Sequence, residues 1–266
     1  MHLQSPDAVS RRIAEAHDRE PRGFIAFDGD GTLWSGDLGE ELFHALVRDD
    51  FFRGSAVERI RADARARSVQ WDTSGSPRDT LALARALDAA FQTGAFPEEP
   101  MYELHAWAMA GALRNEIDHF VDRFLASSKL ATRLQAEAVS VLEAARARGV
   151  DVYIVSASPL PVVEAAAALL GIPPQHVVAA TPLYEGETML PDVERPIPYG
   201  PGKVENLRRR CPTRPLLAAF GDSAFDAALL RAAEIGVAVR PKQRLRDLVA
   251  TGELPGVVEL GSASKR

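Results

Sequence analysis

The chain has 266 residues, of which 46% are hydrophobic, and its formal net charge at pH 7 is −6. This apolar content can fill a sizeable core, which excludes a disordered polar chain. The negative charge argues against a nucleic-acid-binding surface, because phosphate backbones are bound by concentrated positive charge.

The N-terminal segment SPDAVSRRIAEAHDREPRG is polar and predicts a helix. It lacks the apolar core of a secretory signal, and no apolar stretch in the chain approaches eighteen residues. A single cysteine, Cys211, cannot form an internal disulfide, and no His or Cys cluster has metal-ligand spacing. We therefore expect a soluble cytoplasmic protein without a membrane partner.

Five short apolar runs predict β-strands, and each ends at a polar or small residue. Near-continuous apolar character is typical of strands that are buried on both faces, as in a parallel sheet covered by helices. Helical patterns over residues 132–148 and 224–233 alternate with these strands. The order predicts an α/β fold with a doubly wound parallel sheet. The five runs are residues 23–28, 150–156, 176–181, 216–222 and 235–239.

More than a hundred residues without a convincing strand separate the first two strands. Apolar residues there recur every three or four positions, in segments such as ELFHALV and MYELHAWAMAGAL (101–113). A crossover connection does not need that length. We predict a helical cap domain over residues 38–128, inserted into a catalytic core formed by residues 1–37 and 129–266.

The segment 181–203 contains two short extended pieces around Gly186. This pattern predicts a hairpin beside the site.

Carboxylates follow the predicted strands where those strands end. Asp28 and Asp30 follow the first strand, while Asp222 and Asp226 follow a later one. Ligands of open α/β sheets bind outside the carboxyl ends of the strands, so these side chains should meet. The like charges of Asp28 and Asp30 repel each other, which calls for a cation or a shared proton. A set of oxygen ligands with room for waters and a phosphate suits Mg²⁺.

The chemistry of these residue types points to phosphoryl transfer. A metal-bound carboxylate at the strand end, Asp28, can attack phosphorus and form an aspartyl phosphate. Asp30 can then protonate the leaving alcohol and later take a proton from water. Gly31 permits a tight turn that aims backbone N–H groups at the phosphate, and Thr32 adds a hydroxyl donor.

Three further residues are predicted to contact the phosphate from other parts of the chain. Ser156 ends the second predicted strand, and Ala157 follows it. Lysine is scarce in this sequence, and Lys203 in GPGKVENLRRR precedes the strand that leads to Asp222. One divalent cation leaves charge on the transferred group, so Lys203 is the natural candidate to neutralise it.

These motifs, in this order, resemble the haloacid dehalogenase-like phosphohydrolases over essentially the whole chain. The family's DxDGT motif corresponds to residues 28–32, its second strand to VYIVS, its lysine to Lys203 and its last motif to GDSAFD. The resemblance implies a Rossmann-like core, Asp28 as nucleophile and Asp30 as acid/base. It further implies that Asp28, the Asp30 carbonyl and Asp222 bind Mg²⁺, with Asp226 supporting the metal.

The cap between the first two motifs is similar to that of the phosphoserine phosphatase-like branch. A glutamate that contacts substrate in that branch is replaced here by Asp37, and its usual asparagine by Phe225. These departures make phosphoserine itself doubtful as the substrate. Tryptophans such as Trp34, Trp71 and Trp107 are more often core residues, and the alternative is an aromatic cage for a quaternary ammonium such as that of phosphocholine.

We expect a phosphatase that acts on a small phosphorylated metabolite, for example an amino-alcohol phosphate such as phosphoserine or phosphocholine. Two alternatives stay open: a phosphotransferase or mutase that uses the same aspartyl phosphate, and a non-catalytic protein that binds a phosphorylated ligand. The sequence does not determine the substrate or the oligomeric state.

Overall fold

The computed structural model describes residues 1–71 and 79–261. The strands are β1 Leu3–Gln4, β2 Phe24–Phe27, β3 Asp151–Pro159, β4 Val177–Ala180, β5 Pro182–Glu185, β6 Thr188–Val193, β7 Leu216–Gly221, β8 Ile235–Val239 and β9 Val258–Leu260. The helices are α1 Pro6–Arg19, α2 Leu38–Arg48, α3 Gly54–Ala66, α4 Asp79–Gln92, α5 Glu98–Trp107, α6 Arg114–Ser128, α7 Ala136–Ala147, α8 Leu160–Leu169, α9 Pro201–Arg210, α10 Ala227–Ala232 and α11 Gln243–Ala250.

Seven strands form one parallel sheet in the order β1-β9-β8-β7-β2-β3-β4. All five predicted strands belong to it, and helices flank the sheet, which confirms the α/β fold. Sequence reasoning missed β1 and β9, which have two and three residues and lie together at one edge of the sheet. Strands this short carry too few residues for an alternating or continuous apolar pattern.

Strand β2 lies near the centre of the sheet, between β7 and β3, and all four of its residues are buried. The rings of Phe27 and Phe220 stack across β2 and β7, with centroids 3.9 Å apart. This packing fixes the ends of both strands relative to each other. The residues that follow β2 and β7 are therefore held at one edge of the sheet by the core.

The second predicted strand extends further than expected. Ser156 was predicted to end it, but β3 continues to Pro159. The pairing of β3 with β4 shifts register between Val155 and Pro159, which indicates an irregularity where Ser156 lies. Such irregularities re-aim side chains, and here one occurs beside the candidate site.

Six α-helices, α2 to α7, follow one another between β2 and β3 in the described part of the chain. Their apolar side chains join those of the sheet in one contiguous cluster of buried residues. The helix predicted over 101–113 ends early, at Trp107, because Gly111 has a φ of 89° and residues 111–112 exchange backbone hydrogen bonds with Met189 of β6. The division into a core and a cap at residues 38–128 stays a prediction.

Strands β5 and β6 form an antiparallel pair with Gly186 in the turn, as predicted. The φ of Gly186 is 58°, a left-handed conformation that glycine adopts without strain. Across residues 1–71 and 79–261, no helix combines the length and the apolarity needed to cross a lipid bilayer.

Candidate active site

A cavity of about 520 Å³ lies where β2, β3 and β7 end, facing the helices between β2 and β3. Its walls include eight of the ten predicted site residues. Those eight are Asp28, Asp30, Gly31, Asp37, Ser156, Ala157, Lys203 and Asp222. The other two, Thr32 and Asp226, are fully buried and hydrogen-bonded to residues of the cavity wall.

Lys203 joins two carboxylates inside the protein. Its Nζ lies 2.5 Å from Asp28 Oδ1 and 2.5 Å from Asp226 Oδ1, and all three side chains are buried. Burial acts to lower the pKa of Lys203, but the charges of Asp226 and Asp28 act against it, and the pKa lies above its ordinary value. The ammonium is therefore present at every physiological pH.

Asp226 is fully engaged by the protein. Its Oδ2 accepts hydrogen bonds from the backbone N–H of Asp222, the backbone N–H of Ser223 and the Ser223 hydroxyl, while its Oδ1 accepts from Lys203. A Cβ on Gly221 would overlap this carboxylate, so the residue at the end of β7 must be glycine. Asp226 thus fixes the loop after β7 and the direction in which Asp222 points.

Asp28 is buried and lies close to other negatively charged side chains. Burial and repulsion from Asp226 raise its pKa well above the ordinary value, Lys203 acts in the opposite direction, and Asp222 raises it further. The Thr32 hydroxyl donates to Asp28 Oδ2 at 3.0 Å and thereby orients the carboxylate. Thr32 was predicted to donate to the phosphate, whereas in this structure its donor is directed to Asp28.

Oxygen atoms of Asp28, Asp222 and Asp226 all lie within 4.8 Å of one another. These donors are hard oxygens, which fit Mg²⁺ rather than a metal that prefers nitrogen or sulfur. The space beside Asp222 exists because residue 31 is glycine: its φ is 81°, and a Cβ there would overlap the Asp222 carboxylate. Since Asp226 is already saturated by donors, Asp28 and Asp222 are the side chains best able to hold the cation.

A second lysine, Lys242, was not predicted to belong to the site. Its Nζ lies 2.9 Å from Asp222 Oδ2, its backbone N–H donates to the Asp222 carbonyl at 2.7 Å, and it lines the cavity. Unlike Lys203, its side chain is 68% exposed. Its position in the sequence could have indicated the site. Lys242 stands at the N-terminus of α11, shortly after β8, and β8 is the neighbour of β7 in the sheet.

Four donors hold the Asp30 carboxylate. Its Oδ1 accepts from Trp34 Nε1 and from the backbone N–H of Leu38, each at 2.7 Å. Its Oδ2 accepts from the Ser158 hydroxyl at 2.7 Å and from the Ser156 hydroxyl at 3.2 Å. Asp30 is thus oriented by groups from β3 and from the start of α2.

Ser156 was predicted to hold a phosphoryl oxygen. In this structure its hydroxyl donates to Asp30 and accepts a hydrogen bond from the backbone N–H of Ser158. Ser158 was missed because the extension of β3 beyond Ser156 was not anticipated.

Asp37 lies at the N-terminus of α2 and lines the cavity. Its Oδ1 accepts a hydrogen bond from the backbone N–H of Glu40 at 2.9 Å, so it caps the helix. Desolvation and repulsion from Asp30 raise the pKa of Asp37 to about 7.

The tryptophan cage is wrong. Trp34 and Trp107 are 0% and 1% exposed, and none of the three tryptophans lines the cavity. Its aromatic wall consists instead of Phe91, Tyr102, Tyr199 and Phe225. These four residues come from distant parts of the chain, and no sequence spacing links them.

Comparison with known proteins identifies the family. The model of the haloacid dehalogenase-like hydrolases matches residues 25–231. No curated protein has a sequence that matches this chain significantly.

Several solved structures share the fold. A protein of unknown function from Bordetella pertussis Tohama I is 21% identical with a TM-score of 0.68, covering 89% of this chain and 98% of its own. A functionally unknown protein from Anaerococcus prevotii is 16% identical with a TM-score of 0.67, covering 94% and 89%. A HAD family hydrolase from Salmonella enterica serovar Typhi is 16% identical with a TM-score of 0.53, covering 90% and 73%.

Proposed function

This chain belongs to the haloacid dehalogenase-like hydrolases, and we propose that it is a Mg²⁺-dependent phosphomonoesterase that hydrolyses a small phosphate ester through an aspartyl phosphate. The observation that carries the proposal is the convergence of Asp28, Asp222 and Lys203 at the ends of β2 and β7, at the wall of one cavity. Asp28 and Asp222 offer only oxygen ligands, which suit Mg²⁺. The buried ammonium of Lys203 can neutralise charge on a phosphoryl group beside it.

Asp28 is the proposed nucleophile. Its carboxylate oxygen attacks phosphorus, the bond between phosphorus and the ester oxygen breaks, and an aspartyl phosphate forms. Lys203 bonds to Asp28 Oδ1, and Thr32 bonds to Oδ2, so the carboxylate is held in one orientation before substrate arrives. Lys203 also supplies positive charge beside the transferred group.

Mg²⁺, held by Asp28, Asp222 and the Asp30 carbonyl, would supply positive charge that lowers the repulsion between Asp28 and an anionic phosphate. Asp226 does not need to contact the ion, because it positions the loop that carries Asp222. Gly31, Thr32, Ser156 and Ala157 are the proposed phosphate contacts. For Thr32 and Ser156 this requires the hydroxyl to turn from Asp28 or Asp30 to the phosphate when the ester binds.

Asp30 is the proposed acid and base. It gives its proton to the leaving alkoxide in the first step, takes a proton from the attacking water in the second, and is then ready for the next cycle. Water attack breaks the bond between Asp28 and phosphorus, which releases inorganic phosphate and restores the carboxylate. The bonds from Trp34, Leu38, Ser156 and Ser158 hold Asp30 where this transfer requires it.

The test uses a generic aryl phosphate. We expect magnesium-dependent release of inorganic phosphate, reversible loss of that release with EDTA, and loss of at least about 10⁴-fold in kcat for Asp28→Asn. The control is Asp122→Asn, an exposed residue of α6 outside the cavity, which keeps its activity. Undiminished turnover in the Asp28 variant or in excess EDTA would refute the mechanism.

Adding alcohol acceptors separates hydrolysis from phosphoryl transfer. A hydrolase gives inorganic phosphate as the main product at every acceptor concentration. A phosphotransferase gives a new phosphate ester instead, and a protein that only binds its ligand gives neither product.

A further inference from the structure

The wall of the cavity that faces the helices differs in composition from the wall at the strand ends. It carries three aromatic rings, Phe91 of α4, Tyr102 of α5 and Tyr199 from the segment before α9. Ring centroids are 6.2 Å apart for Phe91 and Tyr102, and 5.3 Å apart for Tyr102 and Tyr199. All three residues are only half-buried, so part of each ring is accessible in the cavity.

Two carboxylates lie in the same wall. Asp37 and Glu40, one turn apart at the start of α2, line the cavity. Within the described residues, neither has a lysine or arginine within 4.0 Å, and Glu40 accepts a hydrogen bond only from the uncharged amide of Gln92. The His44 imidazole, which lies within 4.8 Å of Glu40, already bonds to Asp88.

The positive charges of the cavity are concentrated at its other end. Lys203 and Lys242 are the basic residues among those that line it in the described chain, and both are paired with carboxylates of the strand-end cluster. The Arg244 guanidinium lies 5.6 Å from the centroid of Phe225, so the fourth ring of the wall already has a cation beside it. Among the residues that the structure describes, no arginine lines the cavity to receive a carboxylate or a second phosphate of a substrate.

From this distribution we propose that the substrate is the phosphate monoester of an amino alcohol whose only charge besides the phosphate is an ammonium, primary or methylated. The ammonium lies against Phe91, Tyr102 and Tyr199, and Asp37 and Glu40 neutralise it. The ring faces attract a cation through their negative quadrupole, and the carboxylates add an attraction that a neutral substrate cannot use. This inference rests on the proposed phosphatase function, whose site lies at the opposite end of the same cavity.

The inference excludes phosphoserine as the preferred substrate. Its carboxylate would lie near Asp37 and Glu40, with no arginine from residues 1–71 or 79–261 to receive it, and like charges in a partly desolvated cavity repel. Ethanolamine phosphate has the same ammonium without the carboxylate, so it should be the better substrate.

Two matched pairs of esters test the preference. Choline phosphate is compared with 3,3-dimethylbutyl phosphate, which has carbon in place of the charged nitrogen, and ethanolamine phosphate with propyl phosphate. We expect kcat/KM to favour the cationic ester by about tenfold or more in at least one pair. Ratios near one in both pairs, or a preference for phosphoserine over ethanolamine phosphate, would overturn the inference.

A binding experiment keeps the inference separate from the catalytic mechanism. Asp28→Asn protein in Mg²⁺ is titrated with the same four esters in a calorimeter, where no turnover is needed. Tighter binding of a cationic ester supports the subsite even if no ester is hydrolysed, which would count against the phosphatase alone. Equal affinities within both pairs overturn the subsite even if the wild-type protein hydrolyses all four esters.

Variants assign the preference to named side chains. Phe91→Leu and Glu40→Gln should each lower the ratio of the cationic to the neutral ester by about threefold to tenfold. The matched control is Tyr184→Leu, a half-buried aromatic residue of β5 outside this cavity, which should leave the ratio unchanged. Unchanged ratios in both cavity variants, with folding verified by circular dichroism, would remove these residues from the subsite.

Discussion

The carboxylates at the two ends of the cavity differ in their bonding partners. At the strand end, Asp28, Asp30 and Asp226 have hydrogen-bond partners on both carboxylate oxygens, and every partner comes from a β-strand, an adjoining loop or a helix start. At the helical end, Asp37 and Glu40 lack cationic partners within the described chain and lie beside half-buried rings. The strand end is preorganised for one reaction, whereas the helical end keeps charge and surface available for a ligand.

The largest effect on stability should come from a substitution at the strand end, at Lys203. Lys203→Met leaves Asp28 and Asp226 buried without their shared cation, which should lower the free energy of unfolding by about 3–5 kcal/mol and kcat by more than about 10²-fold. Lys242→Met removes a mostly exposed ammonium and should cost about 1 kcal/mol or less. Urea denaturation and phosphate release measure both, and equal destabilisation by the two substitutions would contradict the comparison.

The second prediction concerns Asp30 as a proton donor. Asp30→Asn can still accept the bonds from Trp34 and Leu38 on its amide oxygen and can donate to the serine hydroxyls, but it cannot protonate an alkoxide. We expect kcat to fall by about 10²–10⁴-fold for an alkyl phosphate and by less for an aryl phosphate, whose leaving group needs no proton. Equal losses for both esters, measured at saturating substrate, would mean that Asp30 does not act as the acid.

The third prediction sharpens the role of Ser158, which the structure added to the site. Ser158→Ala removes one of the four donors to Asp30 and should lower kcat by about threefold to thirtyfold. Because Ser158 acts through the proposed proton donor, the loss should be larger for an alkyl phosphate than for an aryl phosphate, whose leaving group needs no proton. Equal losses for the two esters would indicate a purely structural role.

The smallest effect concerns Asp37 at the helical end. Its pKa is about 7 in the folded protein against 3.8 for an ordinary aspartate, so between these values the folded chain keeps a proton that the unfolded chain has lost. The free energy of unfolding therefore falls as pH rises from about 4 to 7. Asp37→Asn, which still caps α2, should be the more stable protein above pH 7 by on the order of 1–2 kcal/mol.

Denaturation at pH 4.5 and 8 measures this difference. Asp122→Asn, with its exposed side chain on α6, is the control and should show no pH-dependent gain. An Asp37→Asn gain that is equal at both pH values would contradict the raised pKa.

Much of the strand end was predictable from the sequence. Each central strand is an apolar run ending at a polar residue, and parallel strands bring their carboxyl ends to one edge of the sheet. Asp28, Asp30 and Asp222 could therefore be grouped without coordinates. Lys203 was added because lysine is scarce and the transferred group needs a cation, and the structure places all four residues at one cavity. Local pattern and a topological rule were enough for the three aspartates, because regular strands fix where their ends lie.

Tertiary structure alone decided the rest. The register shift in β3 brings Ser158 to Asp30, the early end of α5 at Trp107 follows from bonds to β6, and the aromatic wall is assembled from α4, α5 and the segment before α9. A ring is apolar wherever it lies, so hydrophobic periodicity cannot distinguish tryptophans buried in the core from a tyrosine that lines a cavity. That distinction depends on how the helices pack on the sheet, and no residue carries it locally.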